Sequence, residues 1–348
     1  MEKLIKNIFN SKVNKVFIIA EMSANHSRNI NKAFQIIDEA KKIGVDAVKI
    51  QLYKADKITI NSNTRDFRIY HPKWKRYKNF YNLYKNAETP YDWYKKLKKY
   101  CYKKKIILFS SVFDLETVDF LKKENCPIYK IASPEITDIP LLEKVAKTNK
   151  PVIISTGVAD ENDLDLAIKT LRNNKCKKIV ILKCTSSYPA PLDELNLSSI
   201  KKIKEKYKTA VGFSDHSLNN IAPAIAISYG AKVIEKHINL DKNKKSVDDF
   251  FSLKISQFRE MVNNIRDAEK MIGSEKIHIS KNSRKAISSR KSLYIIKDIN
   301  KNEILTKDNI GSIRPFFGLH PKYFNFILGK KSKKKLKFGQ RMKLSYVK

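Results

Sequence analysis

Cysteine is scarce in this 348-residue chain: Cys101, Cys126, Cys176 and Cys184 stand at irregular spacings with no CxxC pair. That excludes a disulfide scaffold and predicts a reduced, cytoplasmic setting. Acidic residues are few as well, 35 Asp and Glu against 71 Lys and Arg, for a formal net charge of +36. The surplus lysines are spread over every predicted helix, which describes solvated faces rather than a polyanion groove. No zinc finger, RNA-recognition sequence or series of base-stacking aromatics accompanies them, so no nucleic-acid partner is expected. No apolar run approaches the ~20 residues of a membrane span, and Met1 to Lys15 contains no secretory hydrophobic region. A membrane partner is therefore not expected either.

What is present is an alternation of β-branched runs with amphipathic stretches of helical length. Val211-Gly-Phe-Ser-Asp-His216 and Lys232-Val-Ile-Glu-Lys-His237 each end in histidine, with a predicted helix between them over Leu218 to Gly230. In a parallel α/β sheet, groups at the carboxyl ends of successive strands converge. His216 and His237 are therefore the expected metal ligands. Glu235 shares a strand face with His237, as Ser214 does with His216. Two neutral imidazoles with open positions suit a Lewis-acid divalent ion, Mn²⁺, Mg²⁺ or Co²⁺, better than a closed structural zinc.

Six further strands are expected, beginning at Val16 to Ala20, Asp46 to Ile50, Ile106 to Phe109, Ile128 to Ile131, Val152 to Ile154 and Ile179 to Leu182. Eight β/α units in roughly 270 residues fit a TIM barrel, and no GxGxxG follows the first strand to favour an open dinucleotide-binding sheet. A helix is expected from about Asn31 to Ile43, closed by Gly44, and another starting at Thr89-Pro90 after a Tyr- and Lys-rich insertion, Lys54 to Thr89, that contains Trp74. Polar groups recur at the strand ends: Glu21, Asn25 and His26; Lys49 and Gln51; Ser110 and Ser111; Lys130, Ser133 and Glu135; Ser155 and Thr156; Lys183, Thr185, Ser186 and Tyr188. Lysines ending apolar strands need an anion, so a phosphate- or carboxylate-bearing substrate is expected beside the metal. Two domains and a linker are delimited: a barrel over 1–273, a polar linker over 274–289, and a small domain over 290–348, with a strand at Leu293 to Ile296 and a short helix at Asp308 to Ile310.

Phe17-Ile-Ile-Ala-Glu-Met-Ser-Ala-Asn-His26, Asp46-Ala-Val-Lys-Ile-Gln51, Tyr129-Lys-Ile-Ala-Ser133, Lys183-Cys-Thr-Ser-Ser-Tyr-Pro189, Gly212-Phe-Ser-Asp-His216 and Ile234-Glu-Lys-His237 resemble, in order, the motifs of the sialic acid synthase family. The likeness runs to the C-terminus, where the tail is similar to that family's antifreeze-protein-like (SAF-type) domain. Cys184-Thr-Ser-Ser-Tyr-Pro189 and Arg314-Pro-Phe-Phe-Gly-Leu-His-Pro321 are similar to its pseudaminic-acid branch rather than to its N-acetylneuraminate branch, which usually carries Asn in place of Ser186.

The resemblance implies metal-dependent condensation of phosphoenolpyruvate with the aldehyde of an amino sugar, 2,4-diacetamido-2,4,6-trideoxy-L-altrose. It also implies a domain-swapped homodimer. Lys49, Ser110, Lys130, Ser133, Ser155, Ser186 and Ser214 would hold phosphoenolpyruvate. Gln51, Tyr188 and Asp248 would surround the sugar, Arg314 would meet its N-acyl group, and Glu21 would handle a proton, with Glu135 and Glu235 in support. N-acetylneuraminate or legionaminic acid synthesis is the alternative within the same chemistry. A Schiff-base aldolase using Lys130 or Lys183, or a non-catalytic polyanion-binding barrel, are the alternatives outside it.

Overall fold

Runs such as Phe17-Ile-Ile-Ala and Ile179-Val-Ile-Leu are buried on both faces, which a strand tolerates only inside a parallel sheet covered by helices. The computed structural model describes residues 2–10, 13–240 and 246–348. In it these runs form a closed parallel barrel: β1 (Phe17–Glu21), β2 (Ala47–Gln51), β3 (Ile107–Val112), β4 (Tyr129–Ile131), β5 (Val152–Ser155), β6 (Ile179–Cys184), β7 (Ala210–Asp215) and β8 (Val233–Asn239). Each strand pairs with the next, and β1 closes the ring on β8 with Glu21 opposite His237. A two-residue strand, β9 (Leu253–Lys254), pairs parallel with the end of β8. Among the described residues no helix is long and apolar enough to cross a membrane.

The helix Ile30–Ile43 shows how local sequence builds the outer layer. Asn29 caps it by accepting from the Asn31 and Lys32 amides, and Gly44, at φ +90°, takes the left-handed conformation that ends it. Ala33, Ile36, Ile37, Ala40 and Ile43 form its buried face. Gly212 answers a different need, because a Cβ there would run into the Val233 carbonyl on β8.

Three predicted elements differ. The helix expected at Thr89-Pro90 starts at Trp93, after a turn, because the Thr89 hydroxyl is taken by the His26 ring at 3.0 Å instead of capping. The helix between the two histidine strands is shorter than predicted, Ala222–Ser228, since Asn219 initiates it by accepting from the Ile221 and Ala222 amides. Asp308 to Asn309 is a turn and Ile310 begins a strand, because the Asn309 side chain bonds the Thr306 amide and the Ile304 carbonyl.

The chain divides into two compact units, residues 1–273 and 274–348. In the second, β10 (Ser292–Ile295) pairs antiparallel with β11 (Ile310–Ile313) over a core of Leu293, Ile295, Ile299, Leu305, Ile310, Ile327, Leu336 and Met342. Residues 274–286 are exposed, and a 3₁₀ turn runs over Asn282–Ser289.

Candidate active site

At the carboxyl end of the barrel, strand alternation turns ionisable side chains inward. Lys49 on β2 lies 2.7 Å from the Glu21 carboxylate on β1, 3.0 Å from the Ser111 hydroxyl on β3 and 3.6 Å from Glu235 on β8. Lys130 on β4 donates to the Ser155 hydroxyl at 2.6 Å and lies 3.9 Å from Glu235. All four charged groups are buried. Burial pulls the Lys130 ammonium below its usual range, with Glu235 opposing and Lys49 adding to the fall. Burial works against the Lys49 charge too, but Glu21 and Glu235 more than offset it. Burial also raises the Glu21 carboxyl; Lys49 opposes the rise and Glu235 adds to it.

Glu235 links this charged floor to the histidines. Its Oε1 accepts from the Ser214 hydroxyl at 3.0 Å, while its Oε2, also buried, has no hydrogen-bond partner among the described residues. Ser214 stands two residues before His216, and Glu235 two before His237, so each pair occupies one strand face. The two imidazole centroids are 5.3 Å apart. His216 Nδ1 faces the Thr185 carbonyl at 3.0 Å, which leaves Nε2 as the free acceptor; Cys184 Sγ lies 3.7 Å from the same Nδ1. His237 is held neutral by burial and by the neighbouring His216, and its buried Nδ1 has no partner among the described residues.

A divalent ion would find a neutral imidazole in His237 and the free Nε2 of His216; burial lowers the His216 pKa but the neighbouring Cys184 more than offsets this, so ligation there would displace a proton. Among the described residues no group of three or more His, Cys, Asp or Glu side chains is arranged to hold a metal. Such an ion would take two protein ligands and keep its other positions for oxygen donors.

Several further sequence-predicted residues lie around this centre. Gln51 donates to Glu21 at 2.9 Å and to Ser23 at 3.0 Å. Asp248 accepts from the Ser23 hydroxyl and the Ala24 amide. Tyr188 packs its ring 4.5 Å from that of His216. The Ser133 hydroxyl accepts from the Gly157 amide at 2.8 Å, and a Cβ on Gly157 would collide with the Ser186 and Ser133 hydroxyls. Glycine at 157 thus lets the loops after β4, β5 and β6 approach one another closely. Glu135 lies just beyond Ser133, and burial raises its carboxyl to about 7, with Lys130 opposing. Arg314 belongs to the second unit, where it is exposed.

Ser110 is a correction. It pairs in register with Ile50, whereas Ser111 pairs with Gln51, so the two serines point to opposite sides of the barrel wall. The Ser110 hydroxyl bonds the Leu52 amide and the backbone carbonyls of Ile50 and Ser111, and Ser111 is the serine that meets Lys49. Lys183 also turns away from the barrel interior. It bonds the Cys184 carbonyl and the Thr185 hydroxyl, and lines a separate cavity with Leu164, Ile203 and Tyr207 from the outer helices. Of the two lysines proposed for a Schiff base, only Lys130 faces the site. His26 is structural, bonded to Thr89 and to the Arg28 amide.

Comparison with known proteins identifies the family of the chain. The NeuB family profile matches residues 36–277, which span β2 through β9. The chain belongs to the NeuB family. The SAF domain profile matches residues 290–340. A pseudaminic acid synthase from Campylobacter jejuni is 43% identical over 331 residues, 95% of this chain and 96% of that protein. An N,N'-diacetyllegionaminic acid synthase from the same species is 36% identical, over 93% and 97% respectively. The solved N-acetylneuraminic acid (sialic acid) synthetase of Leptospira borgpetersenii superposes with a TM-score of 0.70 at 32% identity, covering 79% of this chain and 91% of its own.

The site also contains groups that strand-end reasoning passed over. Ser23 bridges Gln51 and Asp248. The insertion between β2 and the helix starting at Trp93 brings His71 and Trp74 to the barrel mouth, where Trp74 lies 5.8 Å from Tyr188. The aromatic character of that insertion was the available signal.

Proposed function

We propose that this chain is a pseudaminic acid synthase, condensing phosphoenolpyruvate with 2,4-diacetamido-2,4,6-trideoxy-L-altrose to give pseudaminic acid and phosphate. The observation that carries the reading is the junction at Glu235, where two buried lysines meet the strand that carries one of two adjoining imidazoles. An anionic enol phosphate and an aldehyde need those two environments side by side. The 43% identity to a pseudaminic acid synthase over nearly the whole chain supports the choice of acceptor.

In this reading Lys49 and Lys130 hold the charges of phosphoenolpyruvate, replacing part of their attraction to Glu21 and Glu235. Ser133, Ser155, Ser186 and Ser214 orient it, with Ser111 in the place expected of Ser110. His216 and His237 would hold a divalent ion, Mn²⁺, Mg²⁺ or Co²⁺, which when bound supplies Lewis-acid polarisation of the sugar aldehyde. Gln51, Tyr188 and Asp248 position the sugar. C3 of phosphoenolpyruvate attacks the aldehyde carbon, water adds at C2, and the tetrahedral centre expels phosphate with C–O cleavage. Glu21, buried and with a raised pKa, is placed to take the proton from that water, with Glu135 as a second proton carrier. A domain-swapped homodimer in which Arg314 donates to the sugar's N-acyl group completes the proposal, supported by the SAF-domain match. Four buried, unpaired cysteines suit a cytoplasmic location.

A panel assay tests this. Phosphate release is measured with phosphoenolpyruvate and, in turn, the altrose derivative, the 6-deoxymannose precursor of legionaminic acid, and N-acetylmannosamine. The altrose derivative should give the highest kcat/KM, and chelation by EDTA should abolish turnover until Mn²⁺ is restored. A higher kcat/KM with either other acceptor would overturn the assignment. Trapping of Lys130 by borohydride and pyruvate would replace it with the aldolase reading.

A further inference from the structure

The insertion over Lys54 to Thr89 has no part in the chemistry described above, yet it delivers rings to the site. Trp74 makes ring contacts with Tyr188 at 5.8 Å, Phe250 at 5.6 Å and Phe251 at 6.2 Å, and His71 stacks on Phe250 at 5.5 Å. Tyr188 and Phe251 in turn pack on the two histidines, at 4.5 Å from His216 and 4.7 Å from His237. Three loops, following β2, β6 and β8, thus build one continuous aromatic wall beside the candidate metal ligands. Trp74 is held in it by a hydrogen bond from its indole nitrogen to the Val247 carbonyl at 2.9 Å. Trp74, Tyr188 and Phe250 remain partly exposed, so their apolar faces are available to a ligand.

A wall of this kind is ill matched to a phosphate or carboxylate, and the lysine floor around Glu235 already serves the anion. We propose that Trp74, backed by His71 and Phe250, reads the end of the acceptor sugar remote from its aldehyde, selecting a deoxy methyl and the adjoining C–H face over a hydroxymethyl group. This rests on the synthase reading above. With the aldehyde at His216 and His237, a six-carbon acceptor extends past Tyr188 toward the indole. The Trp74 ring gains from contact with a methyl group and itself offers an added hydroxyl no hydrogen-bond partner. The Trp74 nitrogen, already bonded to Val247, is not free to serve that hydroxyl.

The test compares the wild-type enzyme with Trp74→Ala and Trp74→Phe, using the 6-deoxy acceptor and its 6-hydroxy counterpart. Trp74→Ala should raise KM for the deoxy acceptor by about tenfold, the lower range for contacts in a hydrophobic pocket. It should leave KM for phosphoenolpyruvate within about twofold and narrow the deoxy-over-hydroxy preference by about the same tenfold factor. Trp74→Phe, which keeps a ring but loses the bond to Val247, should retain most of the preference, and so separates ring recognition from loop anchoring. If Trp74→Ala turns over with an unchanged acceptor KM or an unchanged preference, the wall is not a reader and the inference fails alone. If the wild-type enzyme releases phosphate with no acceptor in the panel, the synthase reading fails and takes this inference with it.

Discussion

Two sets of buried charges occupy opposite faces of the same two strands. On the outer face, Asp215 and Lys236 form an ion pair with no solvent exposure at 2.5 Å, and the ammonium also donates to the carbonyls of Ser217 and Asn219. Asp215 completes the set by accepting from the Ser217 amide at 2.8 Å. On the inner face, one residue along each strand, His216, Glu235 and His237 sit among Lys49, Lys130 and Glu21, with Glu235 Oε2 and His237 Nδ1 left without partners among the described residues. The outer pair is closed on itself. The inner set is incomplete, and completing it is what a substrate and a cation would do. Buried charge alone therefore does not mark a functional site; buried charge with unused hydrogen-bonding capacity does.

The widest separation between the two faces should come from the histidines. His216→Ala or His237→Ala should lower kcat/KM by about a thousandfold, the several kcal/mol that Lewis-acid catalysis supplies, with little change in Tm. Titration of Mn²⁺ into each purified variant should show weakened binding independently of turnover. A double variant that binds Mn²⁺ like the wild type would sink the ligand assignment.

Lys236→Met should invert that pattern. Leaving Asp215 buried and unpaired should cost about 3–5 kcal/mol of stability, and adding Asp215→Asn should recover much of it. Denaturant unfolding checks this; equal stability of the single variant and the wild type would mean that the outer pair is not the closed structural device described above.

Glu135 gives the smallest and most specific effect. Its carboxyl is raised by burial from 4.5 to about 7, so the folded protein retains a proton that the unfolded chain has already lost. The associated stability is fully present below the unfolded pKa and disappears as pH rises through about 7. Glu135→Gln should flatten that part of the Tm–pH curve between about pH 5 and about pH 8. A variant curve parallel to the wild-type one would remove Glu135 from the list of proton carriers.

Much of the inner face was legible because strand-end position is a local property. A β-branched run, its end and the next polar residue lie within a few positions of one another, which is how Lys49, Lys130, Glu235 and both histidines were found. The choice between Ser110 and Ser111 was not legible. Their side chains differ only by the phase of β3, and that phase is fixed by pairing with β2, some sixty residues earlier in the chain. The aromatic wall was hidden for a related reason: Trp74 meets Tyr188 and Phe250 only after the barrel has closed, and no sequence period links them. Asp215 and Lys236 were visible as residues within motifs, but alternation assigns them to the outer face only once the strands' extents are known.

The pairing of β1 with β8 sets Glu21 beside His237, the first strand beside the last. During synthesis, therefore, the reaction centre stays incomplete: until some 240 residues have left the ribosome, β1 pairs only with β2 and its other edge stays open, so Glu21 has Lys49 beside it but not His237. Nascent chains cut short before β8 would carry that edge exposed, a template for misassociation, so quality control of this enzyme rests on finishing the ring.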